Sequence, residues 1–452
     1  MKKRYIGIPL ILLAICITCL ILLPTETQAT EATSGTCGDN LTWVLAEDGT
    51  LTISGTGDMA NYGKESNLPP WDAKFEQITT VVIEDGVTSI GDYAFHGYYN
   101  LTSITIPSSI TRIGDGAIYS HAMKRICISD LAAWCEIDFD YNEFGVSLFY
   151  GGGDIYLNGE KVTDLVIPDG VTSISDYAFS DWSGLDTITI PDSVKSIGNG
   201  AFSNSYGLVS VTIGNGVTTI GNNAFGQCGR LASVTLGNSV TSIGDSAFWA
   251  CNSLTSVVLP DSVTSIGDGA FVSCANLESI NIPDGVTSIG SHTFLGCAIT
   301  SINIPDSVTS IGELAFAGCK SLTSVTIGNG VTTIGDNAFS YCENLTSVTI
   351  GDGVTTIGDG AFENCGSLCH VLYMGTEGEW NAISIGSENS PLTAATRHYI
   401  ADREAMAGSC EYCSKYEPGN PNTGSTGVWS VVLVAMTSMA ALVTCFTKKR
   451  KN

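Results

Sequence analysis

The sequence predicts a repeat solenoid, a stack of short coils, from three observations. A 23-residue pattern recurs along the chain, apolar residues hold fixed places within it, and turn-forming triplets separate those places. One copy is LTSVTIGDGVTTIGDGAFENCGS, Leu345 to Ser367. The same pattern opens at Ile78, Leu101, Val162, Leu185, Leu208, Leu231, Leu254, Leu277, Ile299 and Leu322. Every one of these eleven copies is 23 residues long except the 22-residue copy Leu277 to Ala298. Self-similarity at such a period marks an array of stacked units.

In the copy from Leu254 the apolar positions are Leu254, Val257, Leu259, Val263, Ile266, Ala270, Phe271 and Cys274. Across the copies the positions of Val257 and Leu259 alternate with hydroxyl residues, the pattern of a strand with one buried face, and Val263 and Ile266 flank a second short extended arm. Between the arms stands Pro-Asp-Ser, Pro-Asp-Gly or Gly-Asn-Gly, residues that tolerate turn geometry. After the second arm, Gly-Asp or Gly-Asn precedes Ala-Phe, where a short helix or helical turn can start from the Asp or Asn. One coil cannot fold alone, because about eight buried side chains at roughly 1.5–3 kcal/mol each oppose an ordering cost of about 1–2 kcal/mol per residue. Stacking removes the deficit, and the architecture read from this is a leucine-rich-repeat solenoid, with one strand and a short helix or turn per coil.

Taken in order, the chain divides as follows. Residues 1–29 read as a signal peptide: Lys2, Lys3 and Arg4 precede an apolar run from Ile6 to Leu23 and a small-residue cleavage site at Thr27-Gln28-Ala29. An uncleaved anchor remains the alternative, since an 18-residue run nearly spans a bilayer. Residues 30–77 form an N-terminal cap. Alternating runs Leu41 to Leu45 and Thr50 to Ser54 flank Asp48-Gly49, a hairpin signal, and Trp43 and Trp71 are available to cover the open edge of the first coil.

Repeats then occupy 78–123 and 162–369, interrupted by a unit at 124–161. Within it Ile126 to Phe139 lines up with Leu372 to Ile385, through Trp134 with Trp380 and Ile137 with Ile383. Residues 370–402 are therefore read as the same unit reused as a C-terminal cap, and 403–423 as a linker.

Residues 424–452 carry a second membrane signal, an apolar span 428–446 followed by Lys448, Lys449, Arg450 and Lys451, which should stay cytoplasmic and leave the solenoid outside. Just before it, Asn420, Pro421, Asn422, Thr423 and Gly424 resemble the sortase sorting signal Leu-Pro-x-Thr-Gly of Gram-positive surface proteins. That resemblance implies cleavage after Thr423 and attachment of its carbonyl to peptidoglycan, the span serving as a membrane stop before processing. Asn420 departs from the usual leucine, and the alternative is a single-pass tail anchor. The net charge of −26 is more acidic still between the two basic termini, which disfavours nucleic acid as a partner.

The whole layout resembles the BspA-like leucine-rich-repeat surface proteins, on the hairpin from Thr36, the repeats of the form LTSVVLPDSVTSIGDGAFVSCAN from Leu254, and the Trp380 unit. The resemblance implies an extracellular, adhesin-like interaction role without naming a ligand.

Chemistry-bearing residues fall into recurrent rows. Cys228, Cys251, Cys274, Cys297, Cys319, Cys342 and Cys365 share one position and read as buried thiols, with disulfide pairing as the alternative. Cys410 and Cys413 read as a local disulfide. Acidic residues recur in two turns, as at Asp261 and Asp268, but Asn and Ser replace them freely, so turn formation is preferred over calcium. His96, His121, His292, His370 and His398 share no motif with a nucleophile, and no enzyme, metal or cofactor site is expected.

The outward row of the first strand is the candidate ligand face: Ser210, Ser233, Ser324, Thr189, Thr212, Thr235, Thr326 and Thr349, with Tyr206, Trp249 and Tyr341 in the variable loops. Packing of small β-tolerant residues is the competing explanation. The function read from the chain is a non-enzymatic, wall- or membrane-anchored surface protein that binds a host or bacterial surface protein or glycan. A passive structural spacer is the alternative, and ice binding by the threonine rows a third.

Overall fold

The computed structural model describes residues 33–140 and 152–400. The predicted signal peptide, the sorting signal with its membrane span, and Cys410 and Cys413 lie outside them.

Each coil has three sides. The first is the predicted strand, as in Ser210–Ile213 or Ser324–Ile327, paired in parallel and in register with its neighbours. The second is a two-residue strand such as Ser265–Ile266, again parallel to the same residues one coil away. Alternation decides what is buried: in Ser210–Ile213, Val211 and Ile213 face the core while Thr212 is exposed.

The third side is a ladder of turns, not a helix. Asn223, Phe225 and Gln227 donate backbone N–H to the carbonyls of Asp245, Ala247 and Trp249 in the next coil, at 2.8, 2.8 and 2.6 Å. Asn223 (φ 55°) and Gln227 (φ 60°) are left-handed, as are Ser246 (53°) and Ala250 (56°) one coil later. Left-handed residues on both sides of Phe225 interrupt the right-handed conformation and prevent a helix from propagating. In the regular coils a glycine precedes the turn because of close approach: a Cβ on Gly267 would lie 2.5 Å from the backbone nitrogen of Asp245.

The core runs the length of the stack. Phe179, Phe202, Phe225, Phe248, Phe271, Phe294, Phe316, Phe339 and Phe362 are buried, and successive rings stack at 5.1–5.7 Å. Isoleucine, valine and leucine from the other two sides fill the space around them.

At the N-terminal end, Leu41–Leu45 and Thr50–Gly55 form an antiparallel hairpin, and the second strand continues in parallel with Thr80–Ile83 of the first coil. Trp43 and Trp71 are buried edge to face beneath it, centroids 5.9 Å apart, and the Trp71 indole donates to the Ala94 carbonyl at 3.2 Å.

The two tryptophan units share an order of strand, short helix and strand: Arg125–Ile128, Leu131–Cys135, Asp138–Phe139 in one, and His370–Tyr373, Glu377–Trp380, Ser384–Ile385 in the other. Asp130 accepts from Ala132 and Ala133, and Thr376 with Glu379 forms a capping box, so each helix starts at a side-chain cap. Trp134 and Trp380 are buried.

Candidate functional site

The repeating polar residues divide into those that hold coils together and those that face outward. The turn carboxylates and amides belong to the first group. Asp176 Oδ1 accepts the Asn199 N–H at 2.6 Å, Asn199 Oδ1 the Asn222 N–H at 2.9 Å, Asn222 Oδ1 the Asp245 N–H at 2.8 Å, and Asp245 Oδ1 the Asp268 N–H at 2.8 Å. A second ladder runs through the other turn, from Asp192 to Asn215 and on to Asn238, at 2.6 and 3.0 Å. Only an acceptor oxygen is required, which explains why Asp and Asn interchange. Among the described residues no group of three or more His, Cys, Asp and Glu is placed to hold a metal ion.

The cysteine row also faces inward. All seven thiols are free and buried, and each donates to the carbonyl of the phenylalanine in the preceding coil, Cys228 to Phe202 and Cys274 to Phe248 at 3.2 and 3.1 Å. Burial pushes the thiols of Cys228, Cys274 and Cys319 up to about 12, which leaves them unreactive. In the coil from Leu185 a serine takes the same role, Ser205 donating to the Phe179 carbonyl at 3.1 Å. Cys369, outside this row, is disulfide-bonded.

The outward row is in register but in two patches. Thr189, Thr212 and Thr235 are direct partners across three strands, with Ser210 beside Ser233. Thr326 pairs with Thr349, and Ser324 belongs to the same strand as Thr326. Thr189, Thr212, Thr235 and Ser233 are exposed, while Ser210, Ser324, Thr326 and Thr349 are half-buried.

Between the patches the row changes character: Val258 is 77% exposed, and the Asn281 amide replaces a backbone ladder contact by both donating to and accepting from Leu259, at 2.8 Å each. The aromatic candidates lie on the turn side and not beside the strands. Tyr206 and Tyr341 are about half exposed and Trp249 is half-buried. They belong to three different coils, so the structure does not gather them into one site.

Two cavities border the inserted segment. One, of about 540 Å³, is lined by Glu136, Asp138, Asp140 and Asp176 among others, with the Arg112 guanidinium paired to both Asp92 and Asp140. The other, of about 630 Å³, opens on the strand face. Sequence reasoning named neither, because each is a product of how the insertion folds back on regular coils.

The geometry defines a leucine-rich-repeat solenoid. A family model for the BspA type leucine rich repeat region matches residues 73–139, 153–278 and 241–369, and the chain belongs to that family. Its fold is similar to that of a leucine-rich repeat protein from Eubacterium ventriosum, at 26% identity and a TM-score of 0.50 over 74% of this chain and 95% of that one. A leucine-rich repeat protein from Bacteroides ovatus matches at 24% identity and a TM-score of 0.48, over 80% and 99% of the two chains. A leucine rich cell surface protein from Faecalibacterium prausnitzii matches at 28% identity and a TM-score of 0.40, over 78% and 98%. No curated protein matches in sequence. Among the described residues no helix is long and apolar enough to cross a membrane.

Proposed function

We propose that this protein is a non-enzymatic bacterial surface protein that presents its solenoid to a macromolecular partner, a surface protein or glycan. The observation that carries the reading is the division of labour among polar residues. Turn Asp and Asn, and buried Cys, are consumed by coil-to-coil bonds, whereas the strand-face hydroxyls of Thr189, Thr212 and Thr235 point to solvent in register on a rigid core. An ordered, uncharged face costs less to desolvate than a charged one and offers both donors and acceptors. Secretion by residues 1–29 and anchoring through Asn420 to Gly424 and the 428–446 span place that face outside the cell, with peptidoglycan as the covalent partner.

Val258, Asn281 and Asn303 interrupt the threonine row while the serine row beside it continues through Ser256, Ser279 and Ser301, and a face of mixed character favours a protein or glycan partner over ice. The test is binding to host and bacterial surface extracts by the parent and by a variant carrying Thr189→Lys, Thr212→Lys and Thr235→Lys. Selective loss of binding by a folded variant supports the strand face. Unchanged binding moves the site elsewhere, and the absence of any binding by the parent favours the passive spacer.

A further inference from the structure

The inserted segment builds a concavity on the strand face. Strand Asp154–Leu157 continues the parallel sheet beyond Arg125–Ile128, but the chain then reverses at Asn158-Gly159 and returns antiparallel as Glu160–Lys161. That turn stands as a wall at the ends of the neighbouring strands, and the cavity of about 630 Å³ lies against it.

Its floor is a row of three sheet partners, Val82, Thr105 and Cys127, each half-buried. Its rim carries the exposed carboxylates of Glu84 and Asp85, and among the described residues no lysine or arginine lines it. The cations on the neighbouring strands are engaged elsewhere: the Arg125 guanidinium lies 3.8 Å from the centre of the Tyr156 ring, and Lys161 pairs with Asp154 at 2.6 Å. The cavity therefore presents a small-residue and apolar floor with an uncompensated acidic rim.

We propose that this cavity receives an arginine side chain from a protein partner, a role that specifies the surface-binding reading above and rests on it. The methylene stem would lie along Val82, and the guanidinium would meet the Glu84 and Asp85 carboxylates, whose acceptor oxygens suit its planar set of donors. Charge complementarity favours a protein over a neutral glycan here, since the chain carries a net charge of −26.

The test is ligand-observed saturation-transfer NMR with the blocked tripeptide Gly-Arg-Gly and its uncharged citrulline analogue. Saturable binding of the arginine peptide is expected, weakened at least tenfold by Glu84→Gln with Asp85→Asn, and likewise by Cys127→Trp, which fills the floor without changing charge. Val82→Phe replaces the latter should it fail to fold. Equal binding of the citrulline peptide, binding unchanged in the charge variant, or no binding to the parent overturns the proposal. So does loss in the charge variant with retention in both filled variants, which would reduce the effect to surface ion pairing. In each case partner binding to the hydroxyl face is measured separately and stands or falls on its own.

Discussion

The thiol of Cys251 donates to the carbonyl oxygen of Phe225, 3.2 Å away in the preceding coil. That carbonyl also accepts the Cys228 backbone N–H within its own turn. The bond ties one coil to the next through a group that would otherwise be half satisfied, which gives the cysteine row a structural purpose without oxidation.

Cys251→Ser should therefore be tolerated, because Ser205 makes the same bond in its own coil. Cys251→Ala should lose about 1 kcal/mol. In the native protein Cys251 and Cys274 should resist alkylation, and both should alkylate without reductant once unfolded. Peptides disulfide-linked between ladder positions in unreduced digests would contradict this.

Phe271 is fully buried, with Phe248 at 5.3 Å on one side and Phe294 at 5.7 Å on the other. Removing it opens a cavity shared by three coils, and Phe271→Ala should cost about 3–5 kcal/mol. Because coil stability depends on neighbours, the array should also lose cooperativity in denaturant titrations. A variant that unfolds like the parent would contradict the stacking register.

At Asn281 a side-chain amide stands in for a backbone ladder contact, with Leu259 as partner. Asn281→Ala should destabilise by about 1–2 kcal/mol in chemical denaturation, since both Leu259 groups lose their partner. An unchanged midpoint would show that the strands close and pair directly.

His370 and His398 meet on the outward face at the C-terminal end, Nδ1 to Nε2 at 3.3 Å. Burial, and then the neighbouring His370, hold His398 below the ordinary histidine value. The unfolded chain takes up that proton first, so the folded state loses stability as pH falls below about 6.5 toward the lowered value, and is unaffected above it. The melting temperature should fall between pH 7.5 and 5.5 by less in His398→Gln than in the parent. Equal falls would remove His398 as a contributor.

Much of this was legible in the sequence, and the limits are physical. Period and burial followed from Val257, Leu259, Ile266 and Phe271, because side-chain alternation and turn triplets are local signals. The third side was not fully legible. Left-handed residues there include Asn223, Gln227, Ser246 and Ala250, and only some of those types advertise that conformation, so the segment before Phe271 read equally as a helical turn. Turn Asp and Asn were recognisable as turn formers, but their bonds to the next coil depend on stacking geometry. The two cavities depend on the fold of 124–161, whose sequence departs from the repeat and carries no periodic signal.

Display at the cell wall is the claim on which the binding role depends, and fractionation of the producing cells tests it most directly. Muramidase digestion should release chains that end at Thr423 joined to peptidoglycan fragments, and Thr423→Ala should shift the protein to the membrane fraction with its folding intact. If the parent is found only in membranes, with Lys451 and Asn452 still attached, the wall-anchored account is contradicted and the single-pass anchor replaces it.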